Sequence, residues 1–378
     1  SHFISLVKHL LMQVTLVRTS RKEPFIMSNK KVILSAKDIS VEFQVRNRTL
    51  RAIRNISVDL HEGETLALVG ESGSGKSVFT KVFTGMLETN GSVSTGTVTY
   101  GDMNLTNLKT NAEWEKIRGG QISTVFQDPM TSLNPIKTIG SQISETIIKH
   151  QGKSSEEAKA IAIDLMNRVG IPEAEKRYDE YPFQYSGGMR QRIVIAIALS
   201  SLPKVLICDE PTTALDVTIQ AQIIALLKEL KEEYGFAMIF ITHDLGVVAS
   251  IADKVAVMYS GEIVEYGTVE DIFYDSRHPY TWALLSSLPQ LATTEKLYSI
   301  AGTPTSLYSE IKGDAFAPRN PKPMAIDFVE IPPKFPVSDT HWAKTWLLDE
   351  RAPELTKPEG IQDLHDKMVK IYAKEGGA

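Results

Sequence analysis

One stretch constrains this chain more than any other: Gly70-Glu71-Ser72-Gly73-Ser74-Gly75-Lys76-Ser77. It follows Thr65-Leu66-Ala67-Leu68-Val69, an apolar run of buried-strand length, and it opens a segment of helical pattern. Strand, glycine-rich loop and helix in that order form a phosphate-binding turn. The glycines let successive backbone N–H groups converge on phosphate oxygens with no Cβ in the way, and the helix start adds the positive end of its dipole. In such a turn Lys76 reaches the β- and γ-phosphates and the Ser77 hydroxyl ligates Mg²⁺. A flexible Gly/Ser linker has no use for a buried strand before it and a helix after it.

Val205-Leu206-Ile207-Cys208-Asp209-Glu210 supplies the complementary half. Four apolar residues bury a strand, and two carboxylates emerge at its carboxyl end, where ligands of open α/β sheets collect. Asp209 is suited to support Mg²⁺ and Glu210 to polarise an attacking water. A carboxylate pair there also caps helices in many proteins, but the phosphate loop earlier in the chain favours nucleotide hydrolysis.

The rest of the chain reads as α/β. Val32 to Phe43 and Leu50 to Leu60 alternate apolar and polar residues, as a half-buried antiparallel pair does. Further strands are predicted at Val93 to Tyr100, Ile122 to Phe126, Val205 to Cys208 and Ala237 to Ile241. Val255 to Met258 and Glu262 to Tyr266 flank a Ser260-Gly261 turn. Between about 128 and 200 the pattern becomes helical, an insertion into the sheet domain. A chain of 378 residues exceeds what one core of roughly 300 residues holds, so a large domain over 27–275 and a smaller one over 276–378 are expected. The second is proline-crowded and loop-rich, ending on an amphipathic pattern at Ile361, Leu364, Met368 and Ile371. Residues 1–26 begin Ser-His, precede a Met27 start, and read as a tag-derived or disordered leader.

Composition removes several function classes. The chain carries 41 Lys and Arg against 46 Asp and Glu, a net charge of −5, without the basic excess of a nucleic-acid binder. Its single cysteine, Cys208, excludes an intramolecular disulfide framework and an all-cysteine metal site, and fits a reducing compartment. No uncharged apolar run reaches the roughly 18 residues of a membrane span.

Tyr185-Ser186-Gly187-Gly188-Met189-Arg190-Gln191-Arg192 resembles the signature motif of ATP-binding-cassette ATPases, with Tyr and Met where Leu and Gln are commonest. A phosphate loop, this motif and an Asp-Glu strand end, in that order, separate the family from GTPases and kinases. The resemblance implies an α/β cassette with a mixed sheet core, an antiparallel β subdomain and a helical subdomain. It implies that Tyr185, Ser186, Gly187 and Gly188 face the γ-phosphate of ATP held by an opposite subunit. ATP contacts then fall to Gly70 through Ser77 and to Val78. Gln127 corresponds to the glutamine that touches Mg²⁺ and the lytic water and senses the membrane partner. Ala214-Leu215-Asp216 resembles the loop coupling two ATP sites, His243 the switch histidine at the γ-phosphate, and Phe43 the aromatic that stacks on adenine, although a lone Phe at a strand end is more often core. Catalysis would rest on Glu210, His243 and Gln127, and the metal on Ser77, Gln127 and Asp209.

Within the superfamily, Phe126-Gln127-Asp128-Pro129-Met130-Thr131-Ser132-Leu133-Asn134-Pro135, Arg277-His278-Pro279-Tyr280-Thr281 and Phe316-Ala317-Pro318-Arg319 are similar to the oligopeptide/dipeptide/nickel permease branch. The likeness covers about residues 32–350. In the branch that the chain resembles, many relatives carry four cysteines here that can hold an iron–sulfur cluster, whereas this chain has Asp314, Asn320, Asp327 and Thr345. A cluster wants thiolates, so none is expected. Phe316, Phe328, Trp342 and Trp346 are expected to anchor the region by packing.

The resemblance implies an ATP- and Mg²⁺-dependent subunit energising an oligopeptide or dipeptide importer. Its expected partners are a second cassette subunit (a heterodimer), two integral permease subunits and an extracytoplasmic peptide-binding protein, at the cytoplasmic face of the cell membrane. The same role with nickel or another small solute is the alternative. A soluble cassette acting on nucleic acid or ribosomes would show a coiled-coil insertion, zinc cysteines or tandem cassettes, and a non-hydrolysing cassette would have lost Glu210 or His243.

Overall fold

The computed structural model describes residues 30–213, 215–287, 300, 302–308, 310–354, 356–358, 361, 362 and 364. The expectations for residues 1–26, for Ala214 and for Met368 and Ile371 lie outside these. Two sheets organise the chain. Strands β1 (Val32–Val45), β2 (Arg48–His61), β4 (Gly91–Tyr100) and β5 (Met103–Asn104) form an antiparallel sheet in the order β2-β1-β4-β5. The larger sheet uses β3 (Thr65–Val69), β6 (Ile122–Val125), β7 (Val205–Asp209), β8 (Ala237–Thr242), β9 (Lys254–Tyr259), β10 (Glu262–Thr268), β11 (Phe335–Pro336) and β12 (Trp342–Ala343), in the order β11-β12-β10-β9-β3-β8-β7-β6. From β9 to β6 all pairs are parallel, and β10, β12 and β11 continue antiparallel.

The continuous apolar runs of the central strands follow from burial on both faces. In β8, Ile239 and Ile241 pack towards the antiparallel sheet with Leu66, Leu68, Ile53 and Ile56, while Met238 and Phe240 face Ile223 and Leu227 of the helix Val217–Tyr234. Each fully buried aliphatic side chain of this kind contributes about 2 kcal/mol. Ser260 and Gly261, at φ 46° and 82°, close the expected β9–β10 hairpin.

The insertion is helical as its periodicity predicts. Helix Ile139–Gln151 is capped by Thr138 and ends at a left-handed Gly152, and helix Ser155–Arg168 starts in a Ser154–Glu157 capping box. Their apolar faces, with Ile143, Ile147, Ala162 and Met166, share one core with Ile193 and Ile195 of helix Gly187–Leu199.

Among the described residues beyond 276, β11 and β12 staple the chain to this scaffold by extending the main sheet. Phe316 is fully buried against Tyr259 and Tyr280, Trp342 stacks on Tyr266, and Trp346 meets Phe335 edge-on. Phe328 corrects the expectation: it is 49% exposed, so it anchors nothing. It ends a short 3-10 turn, Ala325–Phe328, whose buried member is Asp327. Ile361 and Leu364 are buried against this same region.

Candidate nucleotide site

The phosphate loop leaves β3 at Gly70, where the turn runs so close to β9 that a Cβ would lie 2.2 Å from the Met258 carbonyl oxygen. A cleft of about 540 Å³ opens over the loop. Ser72, Gly73, Gly75, Lys76, Ser77 and Val78 line its floor, while Gly70 and Ser74 are buried beneath it. Lys76 Nζ donates to the carbonyls of Gly70 (2.8 Å) and Glu71 (3.0 Å). Burial pushes the Lys76 ammonium down from its ordinary range, and the carboxylates of Glu210, Asp209 and Glu71 oppose that shift.

Ser77 Oγ donates to Asp209 Oδ1 at 2.9 Å. Burial pushes the Asp209 carboxyl up, with the Glu210 charge adding to the effect and the Ser77 hydrogen bond and the Lys76 and Lys81 charges opposing it. A carboxylate held this way, beside a hydroxyl, suits a hard divalent cation, which takes oxygen donors and stabilises their charged form.

Glu210 follows Asp209 at a left-handed φ of 47°, turning its side chain off the strand. Three groups converge on its Oε2: the Thr213 hydroxyl donates at 2.9 Å, the Gln127 amide at 3.5 Å, and His243 Nδ1 lies at 3.6 Å. Gln127 just beyond β6, Glu210 beyond β7 and His243 beyond β8 meet because parallel strands place their carboxyl ends side by side. Thr213 was not singled out from the sequence, though its spacing of three from Glu210 is the signal that finds it.

The other sequence candidates are placed differently. Phe43 lines the cleft with Val45 and Leu50, but it is only 7% exposed and packs against Gly91, so most of the ring belongs to the core. Leu307, from the C-terminal region, completes this apolar wall, and its carbonyl accepts from the Arg51 N–H. No local pattern marks Leu307. Ser186 caps helix Gly187–Leu199, and Ser186 and Gly187 are exposed at its start. Among the described residues that line the cleft, none comes from this signature segment. Tyr185 has a buried ring, and its hydroxyl donates to the Arg177 carbonyl, so the side chain packs in the helical core. Asp216 is exposed and caps helix Val217–Tyr234 through the N–H groups of Thr218 and Ile219.

The family model described as "ABC transporter" matches residues 53–213, and "Oligopeptide/dipeptide transporter, C-terminal region" matches 264–326. The oligopeptide transport ATP-binding protein AmiE of Streptococcus pneumoniae is 69% identical over 90% of this chain and 96% of its own length. The dipeptide transport ATP-binding protein DppD of Lactococcus lactis is 56% identical over 89% and 96%, and OppD of Bacillus subtilis is 50% identical over 90% and 96%. Among solved structures, the ATP-binding cassette MJ0796, in a dimeric post-hydrolysis state with ADP and Pi, is 28% identical with a TM-score of 0.56, covering 62% of this chain and 98% of its own. With the phosphate loop, the Asp209–Glu210 strand end and these relatives together, the chain belongs to the ATP-binding-cassette ATPases, in the family of oligopeptide and dipeptide transport ATP-binding proteins.

Proposed function

We propose that this chain binds and hydrolyses ATP to energise import of oligopeptides or dipeptides, working at the cytoplasmic face of a membrane with two permease subunits, a second cassette and an extracytoplasmic peptide-binding protein. The observation that carries the catalytic reading is the convergence of Gln127, Thr213 and His243 on one carboxylate oxygen, Glu210 Oε2, next to the Ser77–Asp209 pair. The loop's backbone N–H groups and Lys76 hold the β- and γ-phosphates, while Phe43, Val45, Leu50 and Leu307 offer the apolar wall for the base. Glu210 orients the attacking water, which Gln127 helps to position, and His243 faces the charge that develops on the γ-phosphoryl oxygens. Ser77, Asp209 and Gln127 are the residues that would hold Mg²⁺, which when bound neutralises charge on the β- and γ-oxygens.

Because the lining of the phosphate-loop cleft does not draw on Ser186, Gly187 and Gly188, we place them against ATP on an opposing cassette. ATP then favours the closed pair through its higher affinity for that state, and hydrolysis resets it. Exposed apolar side chains in the segment that carries Gln127, namely Phe126, Met130 and Ile136, suit a permease surface. No helix among the described residues is long and apolar enough to cross a membrane.

The test is purification of the chain from native membranes with whatever it binds, then reconstitution in vesicles. Two permease subunits, a second cassette and ATPase activity stimulated by peptide-loaded binding protein are expected. Stimulation by a nickel-loaded binding protein and not by peptide would overturn the cargo. Recovery with nucleic acid or ribosomes and no permease would overturn the whole reading.

A further inference from the structure

Glu71, the second residue of the phosphate loop, is gripped at three points. Its N–H donates to Tyr280 Oη at 2.8 Å, its carbonyl accepts from Lys76 Nζ, and its carboxylate takes both arms of one guanidinium. Arg319 Nη1 donates to Oε2 at 2.6 Å and Nη2 to Oε1 at 3.0 Å. Tyr280 and Arg319 both come from the region beyond residue 276, the latter from the 3-10 turn Ala317–Arg319.

The fork is built in. The Arg319 side chain is 4% exposed, its guanidinium lies over the Tyr259 ring, and it also donates to Tyr259 Oη and to the Ile300 carbonyl. Beneath it, Tyr259, Tyr280 and Phe316 form a buried ring cluster with centroids 4.6–5.3 Å apart. A fork of this kind fixes geometry as well as charge.

A carboxylate beside a loop that binds a polyanion is a liability: its charge repels the ligand the loop exists to hold. We propose that Arg319 is a positioning residue for nucleotide binding, holding Glu71 in place and cancelling its charge, so that the C-terminal region sets the loop's affinity for the phosphate tail. The inference rests on the reading that residues 70–77 hold the phosphates.

The experiment is calorimetric titration of the full-length chain with MgATP and MgADP, with melting temperature recorded for each variant. Arg319→Gln is expected to weaken MgATP by about tenfold, the scale of one charged hydrogen-bond pair, and MgADP by less. Adding Glu71→Gln to Arg319→Gln removes the uncompensated charge and is expected to restore most of the affinity, while Arg319→Lys retains the charge and falls between the wild type and Arg319→Gln. An equal loss for both nucleotides, with a lowered melting temperature and no rescue by Glu71→Gln, would show a purely structural strut and overturn the proposal. Should Arg319→Gln not fold, Glu71→Gln carries the test: it leaves the Arg319 charge uncancelled beside the loop and is expected to tighten MgATP more than MgADP, and a discrimination between ATP and ADP unchanged from wild type would sink the charge role. Lys76→Ala separates the two levels. If it binds MgATP normally, the phosphate-loop reading fails; if it loses binding while Arg319→Gln binds like wild type, only the role of Arg319 fails.

Discussion

Ser77 and Asp209 stand 132 positions apart, yet Ser77 Oγ donates to Asp209 Oδ1 at 2.9 Å. The sheet order accounts for it. Only β8 separates β3 from β7, and the parallel registers set Val69 beside Thr242 and Asp209 beside Ile241. The residues that follow each strand therefore open onto one edge, and Glu210, Gln127 and His243 arrive there by the same geometry. A site assembled from strand ends inherits the rigidity of the sheet beneath it.

Glu210→Gln keeps the shape of the side chain and an oxygen for Thr213 Oγ1 while removing the carboxylate. In the assembled transporter, ATP binding should persist and turnover should fall by about a hundredfold or more, the scale for losing a positioned base. Steady-state hydrolysis and nucleotide affinity measured side by side check this. Turnover within a few-fold of wild type would move the water-orienting role elsewhere.

What could be read from the sequence was what short-range pattern encodes. The buried runs Thr65–Val69, Val205–Asp209 and Ala237–Thr242 declare themselves by unbroken apolarity, and the phosphate loop by its glycines. Partnerships across the chain left no such mark. Arg319 reaches Glu71 over 248 positions, and Leu307 joins Phe43 only because the C-terminal region folds back over β2. The same limit applies to the placement of two aromatics. Tyr185 sits within a functional motif but its ring belongs to the helical core, and Phe328 sits among anchors but faces solvent. A motif fixes where the backbone goes, whereas burial of each side chain depends on neighbours distant in sequence.

The proposed split site is best probed at Gly187. At Gly188 an added Cβ would lie 2.8 Å from Ile219 Cγ2, so a substitution there also disturbs packing, whereas a Cβ at Gly187 meets nothing within 4 Å. Gly187→Asp should therefore leave nucleotide binding by the isolated chain unchanged and nearly abolish ATPase activity and transport in the complex, because a carboxylate would face the opposing γ-phosphate. Loss of ATP affinity in the chain alone would refute a site shared between two subunits.

The four positions that the family resemblance matches to cluster cysteines each close a turn here. Asp314 accepts from the Phe316 N–H, Asn320 from Lys322, Asp327 from Met324 and Thr345 from Leu347. Side-chain oxygens committed to their own backbone are poor iron ligands as well as hard ones. Anaerobically purified chain should contain neither stoichiometric iron nor acid-labile sulfide, measured by elemental and colorimetric assay. About one cluster per chain would contradict the turn-forming role.

His278 and Asp314 face each other in the buried floor of the C-terminal region, Nε2 to Oδ2 at 3.8 Å. His278 Nδ1 accepts from the Tyr280 N–H, which leaves the neutral ring's proton on Nε2. Burial pushes Asp314 up to about 7, with Asp327 and Glu262 adding and the Phe316 N–H and Arg54 opposing. Burial pushes His278 down to about 3, with the Lys344 charge adding and the Lys344 backbone opposing. The folded pair is then uncharged at mildly acidic pH. Above the ordinary aspartate value of about 3.9 the unfolded chain has lost a proton that folded Asp314 keeps, so this group's stabilisation declines as pH rises to about 7. Below the ordinary histidine value of about 6.5 the unfolded chain holds a proton that folded His278 lacks, so that contribution grows with pH over the range up to 6.5. The two slopes offset each other in wild type. His278→Asn keeps an acceptor for the Tyr280 N–H and should expose the Asp314 slope, a melting temperature that falls relative to wild type between about pH 4 and 7. Asp314→Asn keeps an acceptor for Phe316 and should expose the opposite slope. Parallel profiles for all three proteins would mean that neither group holds the protonation state assigned to it.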